Sequence, residues 1–452
     1  LNGPVDPEQL GANVWTTIFA DQAVQVFDAG DGTQASFSPI PRGVPGFDCP
    51  YEGWPVGIAI ATQTITGVKE YSLSISNMDR LEHNDFFPGY PTTSSIQGVP
   101  NQVDSGVPTA GSFPVNVSTD PATYQYSADI AVNPANPDNL VIVATSYDAF
   151  LSRDYVDLYR SADGGHTWFA TRIDSTVDGF ADTALRYAPK VEFDRAGNAY
   201  VAYIVQAADF TSTSIVLARF TNDGATFESS AVLATENTAV AYLYNPQVAI
   251  GPDFNIASQD DVYVSWTRSS TTSYFSEILL NGSAASNGGL LPLSFAAGTL
   301  QTVSDVTATG SDWSSPAVGP AGEVYVTWVD YNTGTTMFDV DPDGMANPAP
   351  FFADTTVPGS GSNPSIDVDR SGGPHHGRVY IASGDSVTFS DDANNPLGPT
   401  WSAPVSAGIG YLTALDVDQV NGDVNVVGWT VTARSRDGGA TWGNAFTRSE
   451  ER

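Results

Sequence analysis

The chain has 452 residues, with 51 acidic and 17 basic side chains and a formal net charge of −34. A field of this sign repels phosphate backbones and anionic lipid surfaces, which argues against nucleic-acid and membrane-surface partners. The single cysteine, Cys49, permits no intramolecular disulfide. No apolar run approaches the roughly 18 residues of a membrane helix, so no membrane insertion is expected. The scarcity of lysine, with only Lys69 and Lys190, favours an extracellular or cell-surface location.

Residues 1 to about 120 show strand-like stretches without a clear period. Alternating apolar residues predict strands at 14–19, 23–27, 56–65 and 70–76. A segment rich in Gly, Pro, Ser and Thr follows, from about residue 89 to 121. We expect a small β-rich N-terminal domain or a wrapping extension with a linker.

Residues 121–452 repeat one phrase six times. In PKVEFDRAGNAYVAY, residues 189–203, a short alternating strand is followed by a polar glycine turn and a second strand, which predicts a β-hairpin. Related phrases begin at 128, 246, 316, 364 and 414, and each hairpin is followed by another pair of strand-like stretches. Repeats of four antiparallel strands that bury each other's faces are typical of β-propeller blades. The prediction is an all-β, six-bladed propeller.

The turn between the third and fourth predicted strands carries the motif S-x-D-x-G-x-T-W. The two full copies contain Ser161, Asp163, Gly165 and Trp168, and Ser435, Asp437, Gly439 and Trp442. Degenerate copies place Asn222 and Phe227, and Ser390, Asp392 and Trp401, at corresponding positions, whereas the third and fourth repeats show no clear copy. Short polar side chains can bond the nearby backbone, glycine takes unusual backbone angles, and tryptophan packs between sheets.

These turns resemble the Asp box, or bacterial neuraminidase repeat, of the sialidase superfamily, over residues 120 to 452. The resemblance implies a propeller whose Asp boxes are structural and lie on the face opposite to the ligand mouth. The mouth would lie where the innermost strands begin and the second strands end. Aromatic residues recur there and are suited to stacking on sugar rings. The candidates are Tyr126, Tyr187, Tyr244, Trp313, Tyr331 and Tyr411. Aromatic residues at strand ends also commonly seal blades, so this alternative stays open.

Sialidase-type catalysis would need three arginines around the substrate carboxylate, a Tyr nucleophile paired with a Glu, and an Asp acid. Arg153, Arg186 and Arg268 fall at predicted mouth loops of successive blades, and Glu192 lies in a first strand that could face the channel. Equally, these arginines could be isolated surface charges. The Arg-Ile-Pro motif that usually supplies the first arginine in that family is absent.

Calcium is the one metal that the sequence suggests, and no other cofactor is expected. Asp339, Asp341 and Asp343 precede Gly344 in a D-x-D-x-D-G pattern, in which alternate carboxylates can converge on a hard cation. The twelfth position is Pro350 rather than Glu, which excludes an EF-hand.

Two functions follow from these observations. The first is a secreted or surface-displayed propeller that binds a carbohydrate or another extracellular protein. The second is an exo-acting glycoside hydrolase of the sialidase type. The sequence leaves the oligomeric state open.

Overall fold

The computed structural model describes nine strands before residue 109, residue 117, and residues 123–447 except 149–150, 152, 274, 284–299, 306–309, 346–350, 360, 429–430 and 444–445. The chain divides into two units, Leu1–Val115 with Ser449–Arg452, and Asn116–Arg448. This division lies a few residues before the one expected near residue 120. No helix of the described residues is long and apolar enough to span a membrane.

The first unit contains short antiparallel sheets. Its strands are β1 (Val14–Phe19), β2 (Gln22–Phe27), β3 (Gln34–Ala35), β4 (Pro39–Pro41), β5 (Val56–Ile65), β6 (Val68–Asn77), β7 (Ser95–Gly98), β8 (Val103–Asp104) and β9 (Val107–Pro108). The sheet orders are β1-β2-β4, β3-β5-β6-β7 and β8-β9. The four strands predicted from the sequence correspond to β1, β2, β5 and β6.

The second unit contains six four-stranded antiparallel sheets, each made of four consecutive strands. Sheet 1 comprises β10 (Thr123–Val132), β11 (Leu140–Asp148), β12 (Arg153–Ser161) and β13 (Phe169–Ile173). The helix α1 (Ser175–Asp178) follows it. Sheet 2 comprises β14 (Leu185–Phe193), β15 (Ala199–Gln206), β16 (Ser212–Thr221) and β17 (Thr226–Asn237). Sheet 3 comprises β18 (Ala241–Pro252), β19 (Asp260–Ser270), β20 (Ser276–Ser283) and β21 (Leu300–Thr302).

The remaining three sheets repeat this arrangement. Sheet 4 comprises β22 (Ser311–Val318), β23 (Val324–Asp330), β24 (Thr335–Asp341) and β25 (Thr355–Val357). Sheet 5 comprises β26 (Ser365–Val368), β27 (Val379–Ser383), β28 (Ser386–Ser390) and β29 (Val405–Ser406). Sheet 6 comprises β30 (Leu412–Val417), β31 (Val424–Gly428), β32 (Val431–Ser435) and β33 (Phe446–Thr447).

The second strand of each sheet forms much of the core. In β23 and β27 every residue is buried, on both faces of the strand. These strands are rich in Val, Ile and Tyr, whose branched or aromatic side chains pack well on a pleated surface. Five hydrophobic clusters join sheet 1 to sheet 2, sheet 2 to sheet 3, and so on to sheet 6. Each sheet therefore buries its faces against the next one in the chain.

The first strands of all six sheets line one cavity. Sheets that pack face to face in chain order around a common cavity form a β-propeller, so the predicted all-β propeller class is confirmed. Closure of the six sheets into one ring stays a prediction.

The S-x-D-x-G-x-T-W turns are held by their own side chains. Ser161 Oγ donates to Asp163 Oδ1 at 2.8 Å, and Asp163 accepts from the backbone N–H and the hydroxyl of Thr167 at 2.8 and 2.7 Å. Asp437 accepts from Ser435 and Thr441 in the same way. The degenerate turn in sheet 5 also matches, because Asp392 accepts from Ser390 and Thr400 despite the insertion. These side-chain bonds hold each turn closed, and we call such turns staple turns.

Sheet 4 contains a copy of this turn that the sequence pattern did not reveal. Its third strand ends at Asp341, and the backbone N–H of Asp343 donates to Asp341 Oδ1 at 3.1 Å. Ser161 accepts from the N–H of Asp163 in the same position at 3.3 Å. Gly344 has φ +61°, close to the +69° of Gly164. The motif proposed for calcium therefore begins like a staple turn, with Asp341 in the place of Ser161.

Candidate functional site

The central cavity has a volume of about 290 Å³. Its lining is mainly polar and comes from the first strand of each sheet or from the residues just before it. The polar lining residues are Asp129, Lys190, Glu192, Gln247, Ser314, Ser315, Asn363, Ser365 and Thr413. Small polar groups that converge from several directions can orient a hydroxylated ligand.

A β-bulge separates the mouth from the cavity in several first strands. The register shifts between Tyr126 and Asp129, between Tyr187 and Lys190, and between Tyr244 and Gln247. Each bulge contains a residue of positive φ, at Ser127, Ala188 or Asn245. In each case an aromatic residue precedes the bulge and a cavity-lining polar residue follows it. The bulge thus lets one strand supply both the mouth and the cavity wall.

Sheets 1 and 2 place two tyrosines near one carboxylate at the mouth, and Tyr242 of sheet 3 lies near the second tyrosine. The hydroxyl of Tyr126 donates to Asp154 Oδ1 at 2.8 Å, and Tyr126 is exposed. Burial, followed by the charges of Asp154 and Tyr242, raises the pKa of Tyr187 to about 12. Tyr126 is therefore open to a ligand, whereas Tyr187 is half-buried and supports the wall.

Sheets 3, 4 and 6 supply a second aromatic group at the mouth, around Asp312. This carboxylate accepts from Asn245 Nδ2 at 2.9 Å, from Thr267 Oγ1 at 2.9 Å and from the backbone N–H of Trp313 at 2.7 Å. Trp313 is 38% exposed. Its φ of +55° is that of the bulge residue in β22, matching Ser127, Ala188 and Asn245 in the other first strands.

Two exposed tyrosines and a half-buried one complete this second group. Tyr331 is 55% exposed, and its pKa is raised by partial burial, by Asp312 and by Tyr411. Tyr411 is also exposed. Tyr244 is half-buried, and burial followed by the charge of Asp312 raises its pKa to about 12. Of the six predicted mouth residues, Tyr126, Trp313, Tyr331 and Tyr411 face solvent, while Tyr187 and Tyr244 are half-buried.

Arg370 lies across the channel at the end opposite to the mouth. It follows the first strand of sheet 5, and its Nη1 donates to the backbone carbonyl of Ile250 in sheet 3 at 2.8 Å. Because the antiparallel strands alternate in direction, the S-x-D-x-G-x-T-W turns lie at this same end. The cavity therefore opens toward the aromatic residues.

Three acidic residues from different sheets influence each other in the channel. Enclosure by protein, followed by the carboxylates of Asp129 and Asp367, raises the pKa of Glu192 to about 8, and Arg370 opposes this. Enclosure by protein and then Asp367 raise the pKa of Asp416 to about 7. The Glu192 and Asp416 side chains both remain accessible to water, so screening weakens these effects. A carboxyl group in this setting can hold a proton near neutral pH.

The arginines predicted to clamp a substrate carboxylate do not line the cavity. Arg186 is fully buried and donates to both oxygens of Asp178, at 2.7 and 2.9 Å, and to two backbone carbonyls. Arg268 is bonded to Glu236 and Glu277 at 2.6 and 3.1 Å. Arg153 lies at the start of β12, paired with Asp148 in the sheet register. Glu192 does line the cavity, as the alternation in its strand allowed.

Sequence reasoning missed Asp367, Asp416 and Arg370. A signal for the two acids was present, because Glu192, Asp367 and Asp416 occupy the same place in the repeated phrase, between two apolar residues. Aligning the repeats would have brought the three acids to one level of the channel. Arg370 lies beyond the repeated phrase, and only the fold shows that it reaches sheet 3.

Known proteins give only distant similarities. No family model matches the chain, and no curated protein does. Among solved structures, an α-L-arabinofuranosidase from Fusarium graminearum matches at 13% identity over 70% of this chain and 89% of that one, with a TM-score of 0.49. An α-L-arabinanase from Penicillium chrysogenum, complexed with arabinobiose, matches at 19% identity over 68% and 89%, with a TM-score of 0.45. A putative 6-phosphogluconolactonase from Bacteroides fragilis matches at 10% identity over 89% and 97%, with a TM-score of 0.42. At these scores the fold assignment rests on the sheets described above.

Proposed function

We propose that this protein binds carbohydrate, with the end of a glycan entering the central cavity through the aromatic mouth. The observation that carries this proposal is the position of exposed Tyr126, Trp313, Tyr331 and Tyr411 beside carboxylates at the opening of a polar cavity. Aromatic faces stack on the apolar faces of sugars, while carboxylates and amides accept and donate hydrogen bonds to hydroxyl groups.

The size of the cavity favours one kind of glycan contact. A volume of about 290 Å³ lies just below the usual range of about 300 to 1,000 Å³ for small-molecule sites. This space suits a single sugar residue rather than a continuous chain, and Arg370 lies across the far end. The ligand is therefore a terminal sugar, with the following residues stacked on the exposed aromatic side chains.

The acidic, lysine-poor composition supports an extracellular location for this activity. The S-x-D-x-G-x-T-W turns support a relationship to Asp-box propellers. Sialidase-type recognition is not favoured, because Arg186 and Arg268 are held by structural carboxylates rather than directed into the cavity.

A glycan array followed by calorimetric titration of the best ligand tests the proposal. Trp313→Ala and Tyr331→Ala should each weaken binding at least about fivefold, since stacking on an aromatic side chain contributes about 1 to 3 kcal/mol. Phe169→Ala is the matched control, because Phe169 is 59% exposed but lies in the outer strand of sheet 1. Failure of the wild type to bind any glycan, or equal losses in all three variants, would overturn the proposal.

A second candidate function is glycoside hydrolysis in the same cavity. It is favoured by Glu192, whose raised pKa suits a general acid, together with the nearby Asp367 and Asp416. Assays with aryl glycosides, including a sialoside, distinguish this candidate from binding alone. A hydrolase should lose turnover in Glu192→Gln while retaining substrate affinity. If the wild type binds glycans but does not hydrolyse them, the hydrolase candidate is rejected and binding remains as the function.

A further inference from the structure

Three carboxylates meet at the outer side of sheets 3 and 4, in a place that the proposed carbohydrate site does not include. Asp305 follows β21 of sheet 3, Asp339 lies in β24 of sheet 4, and Asp354 immediately precedes β25. One oxygen of each carboxylate lies within 4.8 Å of one oxygen of each of the others. They come from three separate segments, so no local motif announces them.

The backbone holds two of these residues face to face. The N–H of Asp305 donates to both carboxylate oxygens of Asp354, at 3.2 and 3.1 Å, and the N–H of Asp354 donates to Asp305 Oδ2 at 3.4 Å. These reciprocal bonds fix the distance between the segments. They leave the two carboxylates close together instead of spreading them into solvent.

Asp339 supplies an independent indication that something else is bound. Its side chain is 1% exposed, and although Oδ1 accepts from the backbone N–H of Val340 at 2.7 Å, Oδ2 is buried without a hydrogen-bond partner. An unsatisfied buried carboxylate oxygen is costly. Among the described residues, no ion pair neutralises Asp305 or Asp339.

We propose that Asp305, Asp339 and Asp354 bind one calcium ion that joins the outer strands of sheets 3 and 4. Calcium binds oxygen ligands at about 2.4 Å, so two oxygens on one ion lie no more than about 4.8 Å apart. The oxygens of this cluster meet that limit. The absence of histidine and cysteine from the cluster disfavours zinc. The exposed side at Asp305 leaves room for water ligands.

This site differs from the one suggested by the D-x-D-x-D-G pattern. Asp339 belongs to both, but the described carboxylates close enough to share an ion with it are Asp305 and Asp354, in place of Asp341 and Asp343. Asp343 instead belongs to the staple turn of sheet 4. The two alternatives can be separated by substitution.

Calorimetric titration of the full chain with CaCl₂ after EDTA treatment tests the proposal. We expect one ion per chain, with Kd at or below about 1 mM, the range of extracellular calcium modules. Asp305→Asn and Asp354→Asn should each weaken binding at least 10- to 100-fold, since even loss of a supporting group costs about that much. Asp343→Asn is the matched control and should retain wild-type affinity. Loss of binding in Asp343→Asn but not in Asp305→Asn would overturn the assignment, as would no binding by the wild type at 1 mM.

Thermal unfolding gives a second signature that a purely structural role would not produce. In EDTA, Asp339→Asn should unfold at a higher temperature than the wild type, because it removes the cost of burying a carboxyl group next to two other carboxylates. In CaCl₂ the order should reverse, because only the wild type gains from a bound ion. The same order in both solutions would contradict the proposal. NaCl at equal ionic strength controls for charge screening.

Discussion

Glu192 extends its carboxyl group into a channel that also receives Asp129, Asp367 and Asp416, with Arg370 and Lys190 as nearby cations. Its pKa is about 8 in the folded chain, compared with an ordinary value of 4.5. Between about pH 4.5 and pH 8, the folded state therefore holds a proton on Glu192 that the unfolded state releases. Ionisation of this group opposes folding, and its penalty grows as the pH rises from about 4.5 to about 8.

This environment predicts how one substitution alters pH dependence. Glu192→Gln keeps the shape and the neutral state, so its stability should fall less than that of the wild type between pH 5 and pH 8.5. Asp416 titrates in the same direction, with a pKa of about 7, so part of the slope should remain. Urea midpoints at the two pH values measure the difference. Identical pH slopes for the two proteins would show that Glu192 ionises normally.

At the scale of single elements, α1 depends on a buried ion pair. The side chains of Arg186 and Asp178 are 1% and 0% exposed, and the Tyr203 hydroxyl also donates to Asp178. The pair connects the end of α1 to the first strand of sheet 2. An arginine that the sequence suggested for substrate binding is thus used to fix the connection between two sheets.

Breaking the Arg186–Asp178 ion pair should strongly lower the free energy of unfolding. Removing one partner leaves a buried charge uncompensated, so Arg186→Met or Asp178→Asn should cost about 3 to 5 kcal/mol of unfolding free energy. The double variant should cost less than the sum of the two. Arg434→Met is the control, because Arg434 is 48% exposed and lies 3.6 Å from Asp423; its loss should cost no more than about 1 kcal/mol. Additive effects in the cycle would contradict coupling between Arg186 and Asp178.

The sequence predicted the secondary-structure elements better than it predicted the contacts between side chains. All six repeated phrases begin in or next to the first strand of a sheet, because period-two alternation is a local property of the sequence. The helix α1 was missed, since four residues carry too little periodicity. The staple turn of sheet 4 was missed because Asp341 replaces the expected Ser.

The candidate sites show the same difference between features set by local sequence patterns and features set by tertiary contacts. The aromatic candidates could be predicted because most of them stand just before or at the bulge of a first strand, as Tyr126, Tyr187 and Tyr244 do. The partners of Arg186 and Arg268 could not, since the nearest carboxylates follow from loop conformations. The cluster of Asp305, Asp339 and Asp354 joins residues 15 to 49 positions apart, which no local spacing encodes.

At the scale of the whole molecule, charge should govern the response to salt. With 51 acidic and 17 basic side chains, like-charge repulsion opposes the compact state. Raising NaCl from about 0.01 M to about 0.1 M shortens the screening length from about 30 Å to about 10 Å. The unfolding midpoint should therefore rise over this range, and it should be measured in EDTA to exclude bound calcium. A flat response would contradict a dominant role for repulsion.

The position of Lys190 makes the central cavity a site for selective amine labelling. The chain has only two lysines, and this one lines the central cavity, 3.9 Å from Asp129. An amine-reactive dye applied to the intact protein can modify few places, and one of them is the cavity wall. After Lys69→Arg, a fluorophore on Lys190 would report on whatever enters the mouth, and a ligand already seated there would slow the labelling.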